Sequence, residues 1–231
     1  MNISVAMATY NGQRYLREQL NTIIQQLEHD DEIIICDDGS IDNTINIIEE
    51  YMLQDSRIRL FKNKRKGVVL NFQDAISKCS KEIIMLCDQD DIWEKNKVKV
   101  IKDTFSKYKE NLVLHNAKNF YDNSKSNLND DLIPNMRHGV INNLLKSSYW
   151  GCCMAFRREL LKHALPFPKN VIAHDQWIGL VAESRKEARF INEYLIKHRV
   201  HDSNVTKKLA FKDKLMFRYN LLSSLIKNTL K

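Results

Sequence analysis

The 231-residue sequence predicts an α/β protein with a mainly parallel central sheet, flanking helices and a C-terminal helical tail. Short apolar runs typical of strands alternate with stretches whose apolar residues recur every three or four positions, as in helices. One run, residues 33–36 (IIIC), is apolar throughout, as in a parallel strand buried on both faces. Strands that alternate with helices form βαβ units, in which successive strands run parallel.

The first half of the chain has the clearest pattern. Five strands are predicted, at residues 3–7, 33–36, 58–61, 82–87 and 112–115. Four helices are predicted between them, on the apolar positions Leu16, Leu20, Ile23 and Leu27; Ile45, Ile48 and Tyr51; Val69, Phe72 and Ile76; and Val98, Ile101, Phe105 and Tyr108. Asp42 is the predicted N-cap of the second helix.

The second half of the chain is less regular. Residues 119–131 are polar and rich in Asn and Asp, which predicts a long exposed loop. We then predict a short helix near residues 141–145, an apolar segment at 150–156, a helix from residue 174 and a late strand at 194–196. Because no linker precedes about residue 203, we expect one domain over residues 1–203 and a tail over residues 204–231.

Composition excludes several protein classes. Hydrophobic residues make up 43% and charged residues 28%, which excludes a fully disordered chain, and six Gly and three Pro exclude a collagen-like one. No apolar run approaches the roughly 18 residues that cross a bilayer, and the N-terminus does not resemble a secretory signal. The five cysteines contain no C-x-x-C, which favours a reduced cytosolic chain over a zinc site or a disulfide framework.

Polar and acidic residues follow three of the predicted strands: residues 9–11 (TYN), 37–38 (DD) and 88–91 (DQDD). Ligands of open parallel sheets bind at the carboxyl ends of strands, so these residues are expected at one edge. Clustered carboxylates repel one another unless a cation neutralises them, and Mg²⁺ or Mn²⁺ prefers oxygen ligands and substrate phosphates. The alternative is an acidic turn that solvates a loop or caps a helix; two acidic strand ends together favour the cation.

These residues belong to three of five motifs whose order and spacing resemble the family 2 glycosyltransferases, nucleotide-sugar enzymes of the GT-A fold. The motifs are residues 8–12 (ATYNG), 37–40 (DDGS), 88–93 (DQDDIW), 174–177 (HDQW) and 198–201 (HRVH). The resemblance runs from residue 3 to about residue 205. Together with residues 67–72 (GVVLNF), the third and fourth motifs look most like the bacterial branch that includes rhamnosyltransferases of surface polysaccharides.

The resemblance implies a nucleotide site. Asp38 would accept a hydrogen bond from the imide N–H of uracil or thymine, with Asp37 in support, and Arg199 would bind diphosphate oxygens. Without the resemblance, residues 9–12 are a helix-entry turn and residues 37–40 a turn that caps a helix. The residues implied for the nucleotide are Thr9, Tyr10, Asn11, Asp37, Asp38, Asn71 and Arg199.

The resemblance also implies a divalent cation, Mn²⁺ or Mg²⁺. Asp90 would be its main ligand and His201 a further ligand or a phosphate donor, although a lone histidine is often structural. Asp88 and Asp91 would lie in the shell of the donor sugar and the metal.

Asp175 is implied as the catalytic base, which would take the proton of an attacking sugar hydroxyl. The family commonly has Glu-Asp here, whereas this chain has His174 before Asp175. The alternative is a first-turn acid favoured by the helix dipole. The implied acceptor wall consists of Trp150, Gly151, Cys152 and Trp177.

The tail holds most of the net charge of +7, because residues 207–231 contain seven basic residues and one acid, Asp213. An apolar stripe runs along the predicted helix at Phe211, Leu215, Tyr219, Leu222, Ile226 and Leu230. A basic amphipathic helix can lie on an anionic membrane. Equally, the stripe could pack on the catalytic domain or on a partner chain.

The expected function is therefore an inverting transfer of a sugar from dTDP-rhamnose or a UDP-sugar to a hydroxyl of a growing surface glycan, such as capsule or O-antigen. The implied setting is the inner face of the bacterial cytoplasmic membrane, with a lipid-linked acceptor and a homodimer as further implications. A nucleotidyltransferase is disfavoured because no Gly-rich loop follows the first strand. A non-catalytic nucleotide-sugar binder would not need Asp175. A nucleic-acid partner is not expected, since the charge lies in the tail.

Overall fold

The computed structural model describes residues 1–63, 66–121, 130–133, 135–201 and 211–229. Its centre is an eight-stranded sheet in the order β3-β2-β1-β4-β7-β6-β8-β5. The strands are β1 (Ile3–Thr9), β2 (Glu32–Asp37), β3 (Ile58–Lys62), β4 (Ile83–Cys87), β5 (Ile92–Trp93), β6 (Leu112–Tyr121), β7 (Met154–Arg157) and β8 (Ala188–Val200).

Helices connect and flank these strands, which confirms the predicted α/β class. They are α1 (Leu16–Ile24), α2 (Thr44–Gln54), α3 (Val68–Lys78), α4 (Lys97–Lys107), α5 (Val140–Leu145), α6 (Leu161–Ala164), α7 (His174–Ser184) and α8 (Phe211–Thr229). Two 3₁₀ turns, Gly151–Cys153 and Arg158–Leu160, flank β7. Helix α3 packs on β1 and β2, and α7 contacts α3, α5, α8 and β8.

The first four parallel strands form the half of the sheet that the sequence predicts most clearly. Strand β1 lies between β2 and β4, and β2 pairs with β3, all in parallel. Every residue of β2 and β4 is buried, because helices or loops cover both faces of these strands. All five predicted strands of the first half are present, at 3–9, 32–37, 58–62, 83–87 and 112–121.

The second half of the sheet is mixed. Strand β7 runs antiparallel between β4 and β6, β6 pairs in parallel with β8, and β5 pairs antiparallel with β8. The apolar segment at residues 150–156 becomes a 3₁₀ turn followed by β7. Apolar patterning marks a buried strand but does not encode its direction, so the antiparallel insertion was not predicted.

Several predicted boundaries were wrong. Residues 119–121, for which the sequence predicts a loop, belong to β6, and the predicted strand at 194–196 is the middle of the longer β8. Pairing between β6 and β8 offsets the poor strand propensity of these polar residues. Helix α2 begins at Thr44 with Asn43 as N-cap, while the predicted cap Asp42 accepts the Thr44 backbone N–H at 3.0 Å.

Some expectations fall outside the described residues. These are the central part of the predicted loop, residues 122–129; the expected domain boundary at 203/204; and the tail residues Lys207, Lys208, Leu230 and Lys231. Within the described part of the chain, no helix combines the length and the apolar content needed to span a bilayer.

Candidate active site

The carboxyl ends of β1, β2 and β4 meet at one edge of the sheet. Thr9 pairs with Asp37 across β1 and β2, and Met7 pairs with Cys87 across β1 and β4. The three polar segments that follow these strands therefore lie side by side, as the parallel topology predicts.

Asp37 organises the turn that follows β2. Its buried carboxylate accepts hydrogen bonds from Thr9 Oγ1 at 2.8 Å, from the backbone N–H groups of Gly39 at 2.9 Å and Ser40 at 2.8 Å, and from Ser40 Oγ at 2.6 Å. A carboxylate with four donors is held in one orientation. Thr9 and Asp37 therefore hold the backbone at the end of β2 in place for the next residue, Asp38. We call these two hydrogen-bonded residues the Thr9–Asp37 frame.

Asp38 is buried, at 9% exposure, next to these residues. Its backbone N–H donates to the Thr9 carbonyl at 2.9 Å, and its Oδ2 accepts the Gly67 N–H at 2.8 Å. Lys66 Nζ donates to the Asp38 carbonyl. These contacts tie the end of β2 to the start of α3.

The loop after β1 is fixed by two amide side chains. Gln89 pairs with the Tyr10 backbone through both its oxygen (2.9 Å) and its nitrogen (3.0 Å). A Cβ at Gly12 would lie 2.3 Å from Gln89 Oε1, so this close pairing requires glycine. Asn11, at φ 48°, accepts the Ile41 N–H at 2.9 Å. The Tyr10 ring stays 53% exposed and available to a ligand.

Asn71 lies below this rim and is 2% exposed. Its Nδ2 donates to the Cys36 carbonyl at 2.9 Å and to the Thr9 carbonyl at 3.3 Å. Asn71 therefore ties β1 to β2 from α3, and its side chain supports the predicted nucleotide residues from beneath.

Asp88 and Asp91 form a tight acidic cluster with Cys152. The ligand atoms of the three side chains lie within 4.8 Å of one another. Burial, and then the neighbouring charges of Asp91, Asp90 and Asp175, raise the pKa of Asp88 well above its usual range. Burial and the charge of Asp90 raise the pKa of Asp91 to about 7, although the Arg199 backbone N–H opposes this shift.

The cluster fits a divalent cation. Asp91 is 1% exposed, and its Oδ2 has no hydrogen-bond partner among the described residues, an arrangement that disfavours the charged form. A bound cation would supply the missing interaction and reverse the mutual repulsion of the carboxylates. The two carboxylates are ligands that Mg²⁺ or Mn²⁺ prefers, whereas the Cys152 sulfur is not.

The two residues predicted as metal ligands are in direct contact. His201 Nε2 lies 2.9 Å from Asp90 Oδ2, and both side chains are largely buried. The His201 ring also packs at 5.0 Å from the ring of Tyr15. The motif at residues 198–201 therefore contacts the motif at residues 88–93.

Arg199 stabilises the loop that contains Asp90. Its Nε donates to the Asp90 carbonyl at 2.8 Å, and its Nη2 donates to Glu18 Oε2 at 2.5 Å. The guanidinium lies between the rings of Tyr15 and Phe120, at 4.5 and 4.6 Å from their centroids. At 3% exposure, Arg199 positions the Asp90 loop against α1. Neither Glu18 nor Phe120 was singled out from the sequence.

Lys97 was also missed. It is fully buried under the acidic cluster, where Nζ donates to the Cys152 carbonyl at 2.9 Å and lies 4.3 Å from the Trp93 ring centroid. Burial lowers the pKa of Lys97, and the nearby Asp91 charge opposes that shift. A lysine four residues before Ile101 on the apolar stripe of α4 was the available signal.

Asp175 lies in the first turn of α7. Its Oδ1 accepts the Gln176 backbone N–H at 2.7 Å, and Oδ2 has no hydrogen bond to any residue in the described ranges. The charge of Asp175 also contributes to the raised pKa of Asp88, after burial and the charges of Asp91 and Asp90.

His174 fixes the start of α7. Its ring stacks on Phe72 at 4.0 Å between centroids, and burial lowers its pKa, which favours the neutral imidazole. A Cβ at Gly151 would lie 3.1 Å from His174 Nε2 and 3.8 Å from Asp175 Cβ. Because Phe72 follows Asn71 on α3, packing connects Asp175 to the nucleotide rim.

The predicted acceptor wall divides into two groups. Trp150 is partly exposed and meets the His198 ring edge-on at 5.8 Å, and Gly151 lies against His174. Cys152 is buried in the acidic cluster. Trp177 is 1% exposed and donates to the Ala164 carbonyl at 2.9 Å, so it lies in the core and away from the cleft surface.

Known proteins resemble both the sequence and the fold. The family described as "Glycosyl transferase family 2" matches residues 4–165. The dTDP-rhamnosyl transferase RfbG of Shigella flexneri is 31% identical over 223 residues, which cover 90% of this chain and 76% of RfbG. The Escherichia coli UDP-Glc:alpha-D-GlcNAc-diphosphoundecaprenol beta-1,3-glucosyltransferase WfgD is 25% identical, over 99% of this chain and 88% of WfgD.

Among solved structures, S. aureus TarS 1-349 in complex with UDP-GlcNAc superposes with a TM-score of 0.77 at 18% identity. The match covers all of this chain and 67% of that one. The mannosyltransferase PcManGT from Pyrobaculum calidifontis, in complex with GDP-Man and Mn²⁺, gives a TM-score of 0.64 at 18% identity, over 87% of this chain and 57% of that one. These two likenesses establish the GT-A-like fold, and the sequence matches establish that the chain belongs to glycosyl transferase family 2.

Proposed function

We propose that this chain is an inverting glycosyltransferase that moves a sugar from dTDP-rhamnose or a UDP-sugar to a hydroxyl of a growing bacterial surface glycan. The observation that carries the proposal is that Asp38, the Asp90–His201 pair and Asp175 lie on segments that contact one another at one edge of the sheet. The likeness to the rhamnosyl transferase RfbG supports the choice of reaction.

The donor nucleotide would bind over the Thr9–Asp37 frame. Asp38 would accept the imide N–H of the base, and the exposed Tyr10 ring would cover the base or ribose. Uracil and thymine present the same imide edge, so this contact is compatible with both dTDP- and UDP-linked donors.

A divalent cation would be held by Asp90 and His201, with Asp88 and Asp91 in its shell. When bound, Mn²⁺ or Mg²⁺ would neutralise negative charge on the leaving diphosphate. Arg199 donates to the Asp90 carbonyl and Lys97 to the Cys152 carbonyl, so both residues would keep the backbone around the cation in place.

Asp175 would act as the base. The bond from Gln176 N–H to Oδ1 fixes the carboxylate, which leaves Oδ2 to accept the proton of the attacking hydroxyl. The oxygen of the acceptor hydroxyl would then attack the anomeric carbon of the donor sugar as the bond from that carbon to the diphosphate breaks. A single displacement of this kind inverts the configuration at the anomeric carbon. Neutral His174 and Gly151 would keep the carboxylate oriented.

The acceptor would be a glycan carried on a lipid at the inner face of the cytoplasmic membrane, with Trp150 beside it.

The test is a donor panel. The purified chain is mixed with dTDP-rhamnose, UDP-glucose, UDP-GlcNAc and GDP-mannose, with and without Mn²⁺, and both thermal stabilisation and release of nucleoside diphosphate are measured. We expect stabilisation by a dTDP- or UDP-sugar with Mn²⁺, and release of dTDP or UDP when an acceptor glycan is added. Release of pyrophosphate would instead identify a nucleotidyltransferase, and stabilisation without turnover on any acceptor would identify a binding protein.

A further inference from the structure

Helix α8 has two apolar faces, and only one is covered by the domain. Leu221 and Leu225 are 0% and 5% exposed and anchor the helix, together with a 2.7 Å hydrogen bond from Asn228 Nδ2 to the His163 carbonyl. The stripe noted in the sequence lies on the other face. Its described members are 42–68% exposed: Leu215, Tyr219, Leu222 and Ile226.

Helix α5 extends this surface. Helices α5 and α8 are in contact, and the Arg218 guanidinium donates to the Leu145 carbonyl. Ile141 is 74% exposed and Leu145 58% exposed. We call the exposed residues of the two helices the α5–α8 patch: Ile141, Leu145, Leu215, Tyr219, Leu222 and Ile226. Exposed apolar side chains that cluster in this way are typical of a contact surface.

Basic residues accompany the patch on the same two helical segments. Lys146, Lys212, Lys214 and Lys227 are exposed, and the described part of α8 contains one acid, Asp213. An anionic lipid surface is complementary to this charge. A second copy of the chain is not, because an isologous interface would bring the same lysines face to face.

The patch also adjoins the acceptor side of the site. Gln176, the residue after Asp175, donates through Nε2 to the Asn143 carbonyl of α5 at 3.0 Å. Helix α7, which begins at His174, contacts both α5 and α8. A surface docked on the patch would therefore lie beside α7, the helix whose first turn contains the proposed base.

We propose that the α5–α8 patch docks on a bilayer containing anionic phospholipid and so brings the Asp175 side of the site to an acceptor held in that bilayer. The docking stands on the exposed patch and its charge alone. The presentation of an acceptor rests on the proposed function.

The test is co-sedimentation with vesicles of phosphatidylcholine containing about 30% phosphatidylglycerol. The wild-type chain is expected to bind these vesicles, to bind pure phosphatidylcholine far more weakly, and to release as salt is raised, since lysine contacts with anionic lipid are screened. The double substitution Tyr219→Glu with Leu222→Glu places two charges at the centre of the patch and is expected to lower partitioning about tenfold or more.

The matched control is Leu53→Glu, which alters a leucine that is 91% exposed on α2, away from the patch. It should bind vesicles like the wild type, and circular dichroism should confirm that both variants are folded. Equal vesicle binding by wild type and double variant would overturn the docking. A wild-type dimer in solution that the double variant converts to a monomer, without vesicle binding, would overturn it in favour of a second copy.

The two parts of the proposal are separable. If vesicles bind through the patch but no donor sugar is transferred to any acceptor, the acceptor role and the proposed function fail while the docking survives. If transfer to a soluble acceptor is normal and vesicle binding is absent, the docking fails while the proposed function survives.

Discussion

Asp90 Oδ2 and His201 Nε2 lie 2.9 Å apart across 111 residues of chain. Their side chains are 15% and 14% exposed, so the pair is shielded but not fully buried. If this pair binds a cation as we propose, its partial burial would strengthen that attraction. The contact joins the strand-end acids of the first half of the chain to the segment that follows the last strand.

The first prediction concerns this pair. His201→Ala should raise the Mn²⁺ concentration needed for half-maximal donor binding by about tenfold or more, because a ligand of the cation is removed. Asp90→Ala should abolish the Mn²⁺ response. Isothermal titration with Mn²⁺ and dTDP or UDP measures both effects, and His29→Ala, at a fully exposed histidine, is the control. An unchanged Mn²⁺ requirement in His201→Ala would remove His201 from the site.

Many of the residues at the carboxyl ends of β1, β2 and β4 could be predicted, because each directly follows an apolar strand in the sequence. An apolar run followed at once by Asp37 or Asp88 marks the carboxyl end of a buried strand, and parallel topology then places those ends together. Lys97 could also have been found, since a lysine within the apolar stripe of α4 must be buried with a partner.

Other parts of the site were not predictable from patterns. The Arg199–Glu18 contact joins residues 181 positions apart, and either residue alone is an ordinary charged side chain. The antiparallel β7 places Cys152 beside Asp91, but the apolar pattern of residues 150–156 is the same for either strand direction. For Trp177, the motif implied a residue of the acceptor wall, whereas the structure buries this side chain in the core.

The second prediction concerns pH. Because the pKa of Asp91 is raised to about 7 in the folded state, the folded chain binds this proton more tightly than the unfolded chain, whose Asp titrates at about 4. The resulting contribution to stability is present at low pH and is lost as pH rises from about 4 to about 7. Asp91→Asn removes the titration and keeps the size of the side chain.

Relative to the wild type, Asp91→Asn should therefore gain roughly 2–3 kcal/mol in the free energy of unfolding between pH 5 and pH 8. Urea denaturation in EDTA at the two pH values measures this difference. Asp103→Asn, at an exposed carboxylate, should show little pH-dependent difference. A flat or reversed trend for Asp91→Asn would contradict the raised pKa.

The third prediction concerns Lys97. Lys97→Ala should lower the free energy of unfolding by about 2–4 kcal/mol, because it leaves a cavity beside Trp93 and removes the donor to the Cys152 carbonyl. Lys97→Met keeps the packed stem and should lower it less. Lys99→Met, at a neighbouring lysine whose side chain is 80% exposed, should change stability by less than about 0.5 kcal/mol. Equal effects for Ala and Met would show that the charge, and not the packing of the stem, dominates.

The role of Asp175 can be separated from donor binding in a single preparation. Single-turnover transfer from the Mn²⁺-loaded donor is measured for Asp175→Asn beside donor affinity by calorimetry, with Glu159→Gln at an exposed acid as control. We predict a transfer rate about 10²–10⁴ times lower than the wild-type rate, with the donor dissociation constant within about twofold. Transfer by Asp175→Asn at the wild-type rate, or loss of donor binding in step with the rate, would contradict a cleft in which Asp175 is the base.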